Sequence, residues 1–221
     1  SVLGVARAFA GESHRAAPPQ LTRPAVHPLC DNAGMGAIVP RWEWRSFDRR
    51  FGAAESRLHA LTPSAVQESD EIYLLHGTGD NVKVRDRLMD IKVLQQVNED
   101  GLEQWTPVMK ESFPLPAEVV AKVHEALRLP VPPLPRPGYS LDEFIADFAA
   151  PGCAIRAVKV HKLRTRYTVG GCMAELSEVT ADGKATRTIA VESPDAAAVI
   201  RAVRELGLGG YRNTSYPRGL A

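Results

Sequence analysis

Polar and apolar residues alternate with a period of two over long stretches of this chain. The clearest runs are Arg41-Trp42-Glu43-Trp44-Arg45, Val82-Lys83-Val84-Arg85, Asp90-Ile91-Lys92-Val93 and His161-Lys162-Leu163-Arg164-Thr165-Arg166-Tyr167. Successive side chains of a strand point to opposite faces, so residues two apart share a face. Lys83 and Arg85 therefore stand together, as do Lys162, Arg164 and Arg166. The opposite faces carry Val82, Val84, Ile91, Val93, Leu163 and Tyr167, which are expected to pack a core. Strands are predicted over 38–47, 71–76, 81–85, 89–96 and 102–109, with turns at 77–81 and 98–101. The short links make these an antiparallel meander.

The middle of the chain changes period. Val119, Val120, Val123, Ala126 and Leu127 fit an amphipathic helix over 116–129. The proline-rich run 130–137 fits neither helix nor central strand. Ser140 with Glu143 three residues on is a capping box opening a helix over 141–149. Strands return over 154–169, 172–180 and 184–192, with an Asp182-Gly183 hairpin turn. Ser193, with Pro194 in the first helical position, predicts a capped helix over 194–206. Residues 211–218 read as an irregular polar-aromatic segment that either caps an opening or packs on the surface. The order predicts an α+β fold with an antiparallel sheet of about eight strands and flanking helices, and eight such strands can close into an eight-stranded antiparallel β-barrel.

Residues 1–36 have no sustained period and carry Pro18, Pro19, Pro24 and Pro28. They read as a disordered leader or the remnant of an over-called start, since Met35 precedes the first strong strand. A single domain is expected over 37–221.

Charge sharpens the picture. Among 221 residues, 24% are charged, yet the net charge is only +1. That balance argues against a broad grip on duplex nucleic acid, so any positive site must be local. No apolar run is long enough to span a bilayer, and the three cysteines form no zinc framework; a cytoplasmic location is expected. Arg41, Arg45, Lys83, Arg85, Lys92, Lys162, Arg164 and Arg166 crowd together if the strands share a sheet. A polyphosphate would neutralise them, with guanidinium forks matched to phosphate oxygens. Glu43, Glu175, Glu178 and Glu192 are dispersed among these cations, which fits either ion pairing or a Mg²⁺ or Mn²⁺ site. Glu175 and Glu178 fall on opposite faces of a regular strand. Gly77-Thr78-Gly79 precedes no helix and reads as a turn rather than a phosphate loop.

Between Arg41 and Gly207 these motifs, in this order, resemble the CYTH domain of the triphosphate tunnel metalloenzymes. Arg41 to Arg45 falls on that family's Glu-x-Glu-x-Lys strand, Lys83-Val84-Arg85 on its Arg-x-Arg pair, and Lys92 on a substrate lysine. Lys162, Arg164 and Arg166 fall on its late basic strand, and Glu175, Glu178 and Glu192 on its acidic strands. The resemblance implies an eight-stranded tunnel that hydrolyses tripolyphosphate or a related linear triphosphate. Arg41, Arg45, Lys83, Arg85, Lys92, Lys162, Arg164 and Arg166 would hold phosphate. Glu43, Glu175, Glu178 and Glu192 would hold the metal, and Glu43, Lys92 and Arg166 would be catalytic. Arg41 departs from the pattern by replacing its first glutamate with a cation, so a binding module without turnover is the alternative. An adenylate cyclase ranks lower, because no element for adenine or the ribose hydroxyl is evident. The partner expected is a small triphosphate rather than duplex nucleic acid or a membrane; helix 194–206 is expected to pack against the barrel, with a homodimer face as the alternative.

Overall fold

The computed structural model describes residues 39–77 and 79–221. The expectation for 1–36 lies outside the described residues. Eight strands close an antiparallel barrel: β1 (Arg41–Asp48), β2 (Ala65–Leu75), β3 (Asn81–Arg85), β4 (Leu88–Val97), β5 (Glu103–Ser112), β8 (Arg156–Val169), β9 (Cys172–Ala181) and β10 (Lys184–Ser193). Around the barrel they run β1, β10, β9, β8, β2, β3, β4 and β5, with β5 returning to β1. The insert between β5 and β8 holds the small ribbon β6 (Leu115–Pro116) and β7 (Gly138–Tyr139), with helices α2 (Ala117–Ala126) and α3 (Leu141–Phe148). Helices α1 (Ala53–His59), α4 (Ala196–Glu205) and α5 (Tyr216–Gly219) complete the element order.

The alternation seen in the sequence becomes an inside and an outside. Most of the apolar core lies outside the barrel wall. Leu74, Val82, Val84, Met89 and Ile91 on the outer faces of β2, β3 and β4 pack against Val120 and Val123 of α2 and Phe144 of α3. Trp44, Ala174, Leu176, Ile189 and Val191 pack against Leu58 of α1 and Val199 and Ala202 of α4. Full burial of each large aliphatic side chain stabilises the fold by roughly 1.5–3 kcal/mol. With the helices holding the outer faces, the lumen is free to carry charge.

Several expectations need correction. Leu163 is 39% exposed, because its cross-strand neighbours on the outer face of β8 are Glu68 and Glu178 rather than a helix. Helix α4 begins at Ala196, and its cap is Asp195, which accepts from the Ala197 N–H. Ser193 instead ends β10 and accepts from the Asp195 N–H, bracing the turn before the cap. Strand β2 is longer than the 71–76 read from the sequence. Helix α1 had no counterpart in the sequence reading. The Ser140–Glu143 capping box of α3 is present as expected. Among the described residues no helix is long and apolar enough to cross a membrane.

Candidate active site

Strand register decides which side chains reach the lumen. Glu43 lies opposite Glu192, and Arg45 opposite Ala190, across β1 and β10. Arg166 lies opposite Glu175, and Lys162 opposite Val179, across β8 and β9. Lys83 lies opposite Tyr73 across β2 and β3, and Asn81 opposite Lys92 across β3 and β4. Arg41, Glu43, Arg45, Lys83, Arg85, Lys92, Lys162, Arg164, Arg166, Glu175 and Glu192 thus share the inner face, joined by Glu71 and Glu103, which the sequence reading did not select.

Glu178 does not join them. It pairs in register with Leu163 and Arg187 on the outer face, where its carboxylate meets the Arg187 guanidinium at 3.4 Å. Glu175 and Glu178 are three residues apart on a regular strand, so only one of them can face the lumen.

The lower lumen is neutralised from within. Glu71 is 2% exposed, and its Oε2 meets Lys162 Nζ at 2.8 Å and Lys83 Nζ at 3.1 Å. Ser69 Oγ donates to its Oε1 at 3.3 Å. Burial alone would raise this carboxyl, but the two ammonium groups outweigh it and hold it down at about 2. Glu175 is handled alike. Burial pushes it up, while Arg45, Arg164 and Lys162 bring it down to about 2. Arg45 Nη1 stands 2.9 Å from Glu175 Oε1, and Arg164 Nη1 stands 3.6 Å from its Oε2. Arg45 also donates from Nε to Glu43 Oε1 at 2.8 Å and from Nη1 to Thr188 Oγ1 at 3.2 Å. Lys162, buried and close to Lys83, falls to about 7 despite Glu71.

Below these ion pairs the barrel is closed by aromatic rings. Tyr216 of α5 stacks on Tyr73 and meets Phe47 edge-on, both at 5.1 Å between centroids. Lys162 Nζ sits 4.4 Å and Arg45 Cζ 4.5 Å from the centre of the Tyr216 ring. The segment leading to Tyr216 is fixed by the Thr214 N–H donating to the Arg45 carbonyl at 2.6 Å and by Asn213 Oδ1 accepting from the Arg45 N–H at 2.8 Å. Arg218 pairs with Glu103. The chain's final segment is therefore a floor. The sequence signal was present in Tyr216, but nothing local said which end of the barrel it would enter, while Tyr211 packs against Phe51 in the outer cluster.

The upper end is different. A cavity of about 340 Å³ is lined by Arg41, Glu43, Lys92, Arg166 and Glu192, with Val39, Trp105, Pro107 and Met173 as its apolar wall. Arg41, Lys92 and Arg166 form no ion pair within 4.0 Å among the described residues, and the Arg166 Nε is buried without a hydrogen-bond partner. Buried donors without partners are costly, so this is a place suited to an anion. Glu192 is raised by burial and by the facing Glu43. Two carboxylates held against each other suit a divalent cation that takes its remaining ligands from phosphate and water. Glu43 and Glu192 therefore fit Mg²⁺ or Mn²⁺ as a pair. Glu175 fits less well because both its oxygens face guanidinium groups. No cluster of three acidic, histidine or cysteine side chains with metal-holding geometry occurs among the described residues.

No family model and no curated protein matches the sequence. Solved structures do resemble it. The PH1012 protein of Pyrococcus horikoshii is 14% identical, with a TM-score of 0.46 over 79% of this chain and 97% of that one. HpAC1 from Hippeastrum, described with a dominant triphosphatase activity, is 13% identical, with a TM-score of 0.45 over 81% and 94%. A candidate adenylate cyclase (bh2851) from Bacillus halodurans is 11% identical, with a TM-score of 0.45 over 80% and 96%. The closed eight-stranded antiparallel barrel with charge on its inner face is the architecture that the CYTH resemblance implies.

Proposed function

We propose that the chain is a metal-dependent phosphohydrolase acting on tripolyphosphate or a related linear triphosphate held at the upper end of the barrel. One observation carries the reading: Arg41, Lys92 and Arg166 line a cavity with the opposed carboxylates Glu43 and Glu192, outnumber them, and form no ion pair within 4.0 Å among the described residues. A triphosphate supplies the missing negative charge, and guanidinium groups match its oxygens. Glu43 and Glu192 would hold Mg²⁺ or Mn²⁺. When bound, such an ion polarises a phosphoryl group and helps orient a water. Lys92 and Arg166 orient the substrate and neutralise charge developing on the phosphoryl oxygens as the bridging bond breaks. Arg45, braced by Glu43 and Glu175, keeps Glu43 oriented toward the cavity.

Purified protein with tripolyphosphate and either metal should release phosphate, and chelation should abolish the release. Arg166→Ala should slow it by roughly a hundredfold, the usual scale for losing one preorganised charge-stabilising donor. Absence of phosphate release with both metals would sink the hydrolase. A second reading, a polyphosphate-binding module without turnover, is favoured by Arg41, which puts a cation where the resembled family has a glutamate.

A further inference from the structure

We propose that Glu71 is a built-in counter-anion that sets how deeply a polyphosphate enters the barrel. This rests on the reading of the upper cavity as a phosphate site. Glu71 is the natural occupant of the lower cation cluster: one carboxylate oxygen receives both Lys83 and Lys162, and the Arg85 guanidinium stands 4.0 Å from the other. Its carboxylate occupies the place a phosphate oxygen would take among the same ammonium groups. Tyr73 holds the cluster from beneath, accepting from Lys162 Nζ at 3.2 Å and placing its ring 5.4 Å from each ammonium nitrogen. The inner face is therefore two layers of opposite character. Lys83 and Lys162 each have a carboxylate partner within 4.0 Å, whereas among the described residues Arg41, Lys92 and Arg166 have none.

The consequence is a preference for the end of a short chain. A polyphosphate engages the upper cations with its terminal phosphates, and each further phosphate must compete with Glu71. Removing the carboxylate should turn the lower cluster into an additional phosphate site. Calorimetry with pyrophosphate and tripolyphosphate tests this on the full chain. The native protein should bind the two within about threefold of each other. Glu71→Gln should bind tripolyphosphate at least about tenfold more tightly than the native chain, with pyrophosphate changed by less than about threefold. Glu71→Asp, which keeps the charge, should retain the native ratio. The glutamine variant strips two buried ammonium groups of their nearest carboxylate, leaving Asp90 near Lys83 and Glu175 near Lys162, so the double variant Glu71→Gln with Lys162→Met relieves that strain. It should fold and lose most of the gain for tripolyphosphate.

If Glu71→Gln binds tripolyphosphate no better than the native chain, or the double variant keeps the full gain, Glu71 is only a structural ion-pair partner. A native chain that binds neither anion would instead overturn the phosphate reading of the upper cavity. Glu71→Gln could still acquire a site in that case, so the two failures are distinguishable.

Discussion

Glu71 and Glu175 are carboxylates kept ionised where burial works against ionisation. Each sits at about 2 in the folded chain, below its ordinary value of 4.5. Between those values the unfolded chain binds more protons than the folded one. The stabilisation is therefore complete above about pH 4.5 and is lost as pH falls toward 2. It amounts to on the order of 3 kcal/mol for each carboxylate. Denaturant titrations at stepped pH should show stability falling steeply through this window. Glu71→Gln, less stable at neutral pH, should show a shallower fall. An equal slope in both proteins would mean that Glu71 is not held down as described. The sequence displayed Glu71 only as the first residue of a short strand. Its role depends on β8 pairing with β2 across some 90 positions, which no local pattern records.

At the scale of elements, period two was enough to place all eight barrel strands and to assign the cations to one face. It did not reveal the ends of the barrel. Helix α1 escaped because it is seven residues long, begins at Gly52 without a side-chain cap, and buries only Ala54 and Leu58. The α4 cap was misplaced by two residues because Ser193 and Asp195 are both good caps, and only the length of β10 decides between them. The floor was least legible, since α5 is a single turn stabilised by what it enters. Tyr216 is 4% exposed and touches rings from β1 and β2. Tyr216→Ala should cost about 3–5 kcal/mol in denaturant unfolding, as large buried aromatics do. Its buried hydroxyl has no hydrogen-bond partner among the described residues, so Tyr216→Phe should be neutral or slightly stabilising. A large loss in the phenylalanine variant would show that the hydroxyl has a role the packing does not reveal.

For the whole molecule, a net charge of +1 conceals a strong segregation of charge. Most of the apolar core lies under the helices, outside the barrel wall, and the inner face carries cations and carboxylates above an apolar floor around Tyr73, Val160, Val179 and Tyr216. Where carboxylates reach, the cations are neutralised. At the upper cavity Arg41, Lys92 and Arg166 outweigh Glu43 and Glu192. Arg41 is the residue that tips this balance toward the cations. Arg41→Glu reverses the majority, leaving two cations against three carboxylates. Tripolyphosphate binding without metal should then weaken by roughly tenfold or more, because a cation is lost and a repulsive charge gained. Manganese binding, followed by calorimetry without phosphate, should strengthen by about tenfold as a third hard oxygen ligand joins Glu43 and Glu192. If phosphate release rises in the variant while the native chain releases none, the native protein is a binder whose tunnel has exchanged metal affinity for anion affinity. Robust release by the native chain would show instead that two carboxylates and the substrate's own oxygens are a sufficient metal site.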